Sequence, residues 1–214
     1  MKLEKTIFGQ AIQFFATGEA SGRRSPIPLI RAMQDRYGFV EVPHKVSELK
    51  FETGVNFLQG YYKDTVIDKF QVYNNGILCE AATDNQICSE FIEDVLSWAP
   101  EYFNPITIEP TAKAFQSKLE ISSEKDVRNT FAKFAGVGEL IAQLLKGYGL
   151  TAPPPYVAAG VVLQHEPQRE MAGVPNFEFA WRADRTFADR VYYSSAPLRT
   201  QDHLQVLDLL EQLL

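Results

Sequence analysis

Cysteine is scarce in this chain of 214 residues, with only Cys79 and Cys88, no CxxC pair and no histidine at zinc-finger spacing. That excludes a disulfide framework and a structural zinc site as sources of stability. A basic excess is also missing: 21 Lys and Arg stand against 27 Asp and Glu, for a net charge of −6. Residues 1–105 carry 10 basic and 14 acidic groups, so the deficit is spread rather than confined to a tail. Phosphate neutralisation dominates nucleic-acid affinity, so no bulk nucleic-acid binding is expected. No stretch approaches 18 consecutive apolar residues, and the start MKLEKTIFGQAIQFFATGE lacks the uninterrupted apolar core and cleavage site of a signal peptide. The expectation is a cytoplasmic protein that does not enter a membrane. Neither a Walker A sequence nor a nucleophile elbow occurs, and no cofactor is expected.

What is present is ordinary globular material, with 45% hydrophobic, 12% aromatic and 22% charged residues. The run Thr6 to Thr17 reads as a strand. After the polar stretch GEASGRRSP, Pro26 and Pro28 suit a first helical turn, and Leu29, Ile30 and Met33 form an apolar stripe ending at Tyr37-Gly38. Strands are predicted over Leu49–Gln59, Ile67–Tyr73 and Ile77–Ala82. Asn74-Asn75-Gly76 predicts a type I′ hairpin, because Asn-Gly accepts the positive φ angles of that turn. Thr83-Asp84-Asn85-Gln86 matches a capping box ahead of an amphipathic helix that Pro100 stops.

The second half restarts the pattern: a strand over Ala112–Ile121, a helix from Glu124 to Lys146 with Gly136 and Gly138 as possible breaks, and a close at Tyr148-Gly149. Strands follow at Tyr156–His165, Phe177–Ala183 and Arg190–Ser194, then a helix from Thr200. Arg36-Tyr37-Gly38 and Gly147-Tyr148-Gly149 lie 111 residues apart, and Thr83 and Thr200 lie 117 apart. The fold class predicted is therefore α+β, a tandem duplication of a βαβββα unit with antiparallel sheets and helices on one face. The halves are residues 1–104 and 105–214, joined near Asn104–Pro110 and packed as one globular body. The competing account is chance recurrence of common features in an α+β chain.

Candidate sites are few. Arg23, Arg24 and Ser25 precede a helix and suit a phosphate or carboxylate, against the plainer reading of a solvated loop. His44, His165 and His203 lack ligand spacing, and no metal site is expected; His203 reads as a surface or capping-turn residue. Ser194-Ser195 reads as a strand end rather than a nucleophile, and both cysteines as core. Glu90, Glu93 and Asp94 read as the solvated side of a helix. Trp181, Arg182 and Tyr192 are the interface candidates, since exposed aromatic and arginine side chains on a sheet face suit a protein partner.

The functional expectation is a non-catalytic binding or assembly protein acting through a sheet face, a strand edge or an inter-half groove. Its partner is expected to be another protein or a second copy. The alternative is a small-molecule enzyme or ligand sensor with a pocket between the halves, using Arg23, Arg24 and His165.

Overall fold

The computed structural model describes residues 1–17, 25–99, 102, 108–154, 156–164 and 174–214. Eight strands form one antiparallel sheet: β1 (Lys2–Thr17), β2 (Val55–Tyr62), β3 (Thr65–Tyr73), β4 (Gly76–Ala81), β5 (Ile108–Ser122), β6 (Gly160–Leu163), β7 (Phe177–Trp181) and β8 (Val191–Ala196). Their spatial order is β2-β3-β4-β1-β5-β8-β7-β6. The helices described are α1 (Ile27–Tyr37), α2 (Asn85–Trp98), the single turn α3 (Val127–Thr130), α4 (Ala135–Gly147) and α5 (Thr200–Leu213). The chain divides into two compact units, Thr6–Lys118 with Pro197–His203, and Met1–Lys5 with Leu119–Ala196 and Leu204–Leu214. Each unit draws on both halves of the sequence.

In the larger unit, strand register sets the core. Phe57 lies opposite Phe70, Phe70 opposite Cys79 and Cys79 opposite Ala11, so these side chains share one face and all are buried. Leu29, Ile30, Met33 and Tyr37 of α1 and Cys88, Phe91, Ile92 and Val95 of α2 join the same cluster. Its centre is aromatic: Phe91 stands edge-on to Tyr37 at 4.8 Å and to Phe70 at 5.3 Å. Each such ring stabilises by about 1.5–3 kcal/mol on burial, with up to ~1.5 kcal/mol more from edge-to-face geometry. The opposite face carries a polar ladder, in which Gln10 donates to Glu80 at 2.8 Å and Lys69 pairs with Glu80 at 3.2 Å.

Local chemistry explains where elements stop. Gly38 ends α1 in the left-handed region at φ 62°, as the Tyr37-Gly38 signal predicts. Asp84, rather than Thr83, caps α2 by accepting from the Gln86 N–H at 2.9 Å.

Several boundaries differ from those expected. Residues 49–54 are not strand but carry a turn at 51–53, and β2 begins at Val55. It runs into a hairpin that the sequence signals do not announce, turned by Lys63 and Asp64 at φ 44° and 60°. Positive φ at both loop positions is the type I′ signature, here met without glycine. At Asn74-Asn75 the hairpin is where the sequence placed it, but the positive-φ pair is not there. Gly76 is needed for another reason, since a Cβ would come within 2.8 Å of the Gln13 carbonyl oxygen on β1.

Another residue with positive φ, Gln59 at 56°, turns the strand over, so that Phe57 and Gly60 are both buried although three positions apart. A Cβ at Gly60 would lie 2.6 Å from the Phe39 ring. In the second unit the helix predicted over 124–146 is interrupted ahead of its glycines: α3 gives way to a 3₁₀ turn at Ala132–Phe134 before α4 begins. β6 is four residues long rather than ten.

Candidate interaction surface

α4 reads AGVGELIAQLLKG, mostly good helix formers, and its end is closed by a Schellman arrangement. Gly149, at φ 95°, donates to the Lys146 carbonyl at 3.0 Å, and Leu150 donates to the Leu145 carbonyl at 3.1 Å. The helix is well formed but little covered. Gly138 is its one buried residue, because the helix backbone sits directly against the Tyr156 carbonyl, which a Cβ at that position would overlap. Around the cylinder from that contact, Val137, Leu140 and Leu144 are 59%, 55% and 48% exposed, and Tyr148 at the C-cap is 79% exposed. At 100° per residue these four fall on one stripe, while Glu139 and Lys146 fall on the opposite side. The stripe therefore carries no charge.

The segment that α4 touches leads from Tyr156 into β6, the last strand of the sheet order. β6 exposes Val162 at 55% and Leu163 at 58%, one on each face of the strand. From Val157 to Gln164 there is no charge and no proline. Natural edge strands are usually blunted by such residues or by a covering segment.

The interface candidates named from sequence fall in the same unit. Trp181 is partly exposed, edge-on to Phe187 at 4.5 Å and to Tyr192 at 5.1 Å, with its indole N–H donating to the Arg185 carbonyl at 3.3 Å. Arg182 pairs with Glu120 and, at 2.8 Å, with Asp184. Tyr192 is fully buried, stacked on Phe179 at 4.9 Å, and burial pushes its phenol up. It supports Trp181 from beneath rather than facing outward.

Of the anion candidates, Ser25 is exposed just ahead of α1, its Oγ accepting weakly from the Ile27 N–H at 3.4 Å, while Arg23 and Arg24 lie outside the described residues. His165 lies outside them too. His44 is exposed in a loop, and Ser194 is buried with its hydroxyl donating to the Glu178 carbonyl at 2.7 Å. Burial raises the Cys79 thiol well above its usual range, most of all through desolvation and then through Cys88 beside it. Glu90, Glu93 and Asp94 do face outward from α2, each paired, with Lys63 at 2.8 Å, Lys113 at 2.7 Å and Arg36 at 3.3 Å. Tyr37 donates to Asp94 and accepts from the Trp98 indole at 2.8 Å, tying the end of α1 to α2.

His203 is a correction. It is fully buried in the first turn of α5, its Nδ1 2.8 Å from Ser117 Oγ on β5, and desolvation lowers its pKa to about 4. Asn85, at the start of α2 and equally buried, explains why that turn is fixed in place. Its amide donates to the carbonyls of Leu198 and Gln116 at 3.0 and 3.2 Å, and its side-chain oxygen accepts from the Thr200 N–H at 3.1 Å. The sequence signal for this knot is only a threonine and an asparagine at helix starts.

No protein-family model matches the chain, and the searches of curated proteins and of solved structures yield no match either. The class defined by the fold is an α+β protein on an eight-stranded antiparallel sheet. Among the described residues no three His, Cys, Asp or Glu side chains group to hold a metal, and no helix is long and apolar enough to cross a membrane.

Proposed function

We propose that this is a non-catalytic protein-binding or assembly protein that works through the α4 stripe and the β6 edge. One observation carries the reading: a complete, capped helix presents Val137, Leu140 and Leu144 at about half exposure with no charge among them. Contiguous apolar surface on a polar-rimmed element marks an interaction site more often than it marks nothing. Trp181 and Arg182 add the aromatic and arginine chemistry typical of interface centres. A cytoplasmic location belongs to the same reading. The enzyme or sensor alternative rests on Arg23, Arg24 and His165, and no observation favours it.

The finer architecture belongs here as well. The reading takes residues 1–104 and 105–214 as tandem copies of one βαβββα unit with its helices on one face. In support, the neighbours going outward from β1 are β4, β3 and β2, and those going outward from β5 are β8, β7 and β6. The left-handed Gly38 and Gly149 also follow equivalent tyrosines.

The test is a double variant, Leu140→Glu with Leu144→Glu. Both sites are exposed, so its stability should stay within about 1 kcal/mol of wild type. The mass of the natively isolated species, measured by light scattering, should fall from a complex to the single 24.2 kDa chain. Native wild type that already runs at the single-chain mass would remove the reading.

A further inference from the structure

We infer that the partner at this surface is a second copy of the chain, joined by antiparallel pairing of β6 with its twin across a two-fold axis. The inference rests on the binding role proposed above and narrows it.

The starting point is which peptide groups of β6 are already used. Trp181 donates to the Ala159 carbonyl at 2.8 Å, which makes 159 and 181 a hydrogen-bonded pair of the β6–β7 ladder. Register runs Gly160 to Ala180, Val161 to Phe179 and Leu163 to Phe177. Antiparallel pairs alternate between bonded and non-bonded, so residues 159, 161 and 163 turn their N–H and C=O towards β7. On β7 the same alternation sends residue 182 towards β8, and Arg182 does donate to the Val191 carbonyl at 3.2 Å. Gly160, Val162 and Gln164 therefore aim their peptide groups away from the sheet, where no strand or loop among the described residues meets them.

This outward row is self-complementary. Placing the two-fold axis at Val162 sets Val162 against its own copy and Gly160 against the copy's Gln164. Each is a bonded pair, with no like charges opposed because none are present. A heterologous strand could use the same hydrogen bonds, but an isologous pairing is the usual closed solution for an edge with no charge to choose a partner. Apolar surface accompanies the edge on both sides, since Val162 and Leu163, one on each face of β6, are both more than half exposed and a twin strand would cover part of each.

The experiment uses the purified chain alone in sedimentation velocity at tens of micromolar, with Val162→Pro as the decisive variant. The Val162 N–H points outward, so proline there removes hydrogen bonds to a twin while sparing the β7 ladder. Wild type should sediment at twice the 24.2 kDa chain mass. Val162→Pro should weaken the dimer at least about tenfold with an unchanged far-UV spectrum, whereas Val161→Pro should damage the fold itself. A wild type that is monomeric on its own but heavier when natively isolated would overturn this inference and leave the binding role standing. Dimers that ignore Val162→Pro would overturn it as well, and a monomer in both preparations would remove the binding role.

Discussion

Helix α1 ends on a tyrosine and α4 is capped by one, each followed by a left-handed glycine, yet their apolar stripes meet opposite fates. In α1, Leu29, Ile30, Met33 and Tyr37 are buried against Phe39, Phe91 and the strands of the larger unit. In α4 the apolar stripe is open, and Tyr148 is 79% exposed where Tyr37 is 4% exposed. The sheet edges differ in the same sense. Glu41 bridges to Leu58 and covers part of β2, and Gln59 twists that strand out of regular pairing geometry. β6 has no such guard among the described residues. One unit thus buries the apolar stripe of α1, and the other leaves that of α4 exposed.

The largest expected effect tests that contrast directly. Phe91→Ala should cost about 3–5 kcal/mol in chemical denaturation, because its cavity opens among four rings, while Leu140→Ala in dilute protein should cost less than ~1 kcal/mol. Equal costs would mean that α4 is covered within its own chain.

Next comes acidity. Burial holds His203 neutral down to about pH 4, whereas the unfolded chain takes up that proton near 6.5. Stability should therefore be unaffected above pH 6.5 and decline as pH falls from there to 4, by on the order of 3 kcal/mol. His203→Asn keeps a hydrogen-bonding atom near Ser117 without titrating, and denaturation midpoints at pH 7.5 and 5 should converge for it. Identical pH slopes in both proteins would assign the effect elsewhere.

The smallest effect separates two neighbours on α4. At Gly136 a Cβ would meet nothing within 4 Å, so Gly136→Ala should gain roughly 0.5–1 kcal/mol of helix propensity. Gly138→Ala should lose stability despite the same gain, since its methyl would displace the Tyr156 backbone. Thermal melting reads both, and a gain at Gly138 would show that α4 is not anchored there.

Much of this fold was legible because its signals are local. Pro26 and Pro28 at the start of α1, Gly38 and Gly149 behind their helices, and Thr200 at the start of α5 each constrain backbone within a turn of themselves. The Lys63-Asp64 hairpin was hidden because neither residue advertises positive φ, and tertiary pairing imposes it. The burial of His203 and Asn85 is hidden for a related reason: their partners are about 30 to 120 residues away, and a polar side chain in a first helical turn looks solvated until those partners arrive. For α4, periodicity revealed an apolar face but not what covers it. The helix was therefore legible, and its exposed face was not among the candidate sites the sequence offered.

Gly60 sets how closely the chain can fold back on itself. Residues 40 and 41 are bonded to Leu58 on the same strand, which brings the Phe39 ring down onto position 60. Any side chain at Gly60 would have to push that ring away, so the aromatic core closes over β2 through an atom that is absent.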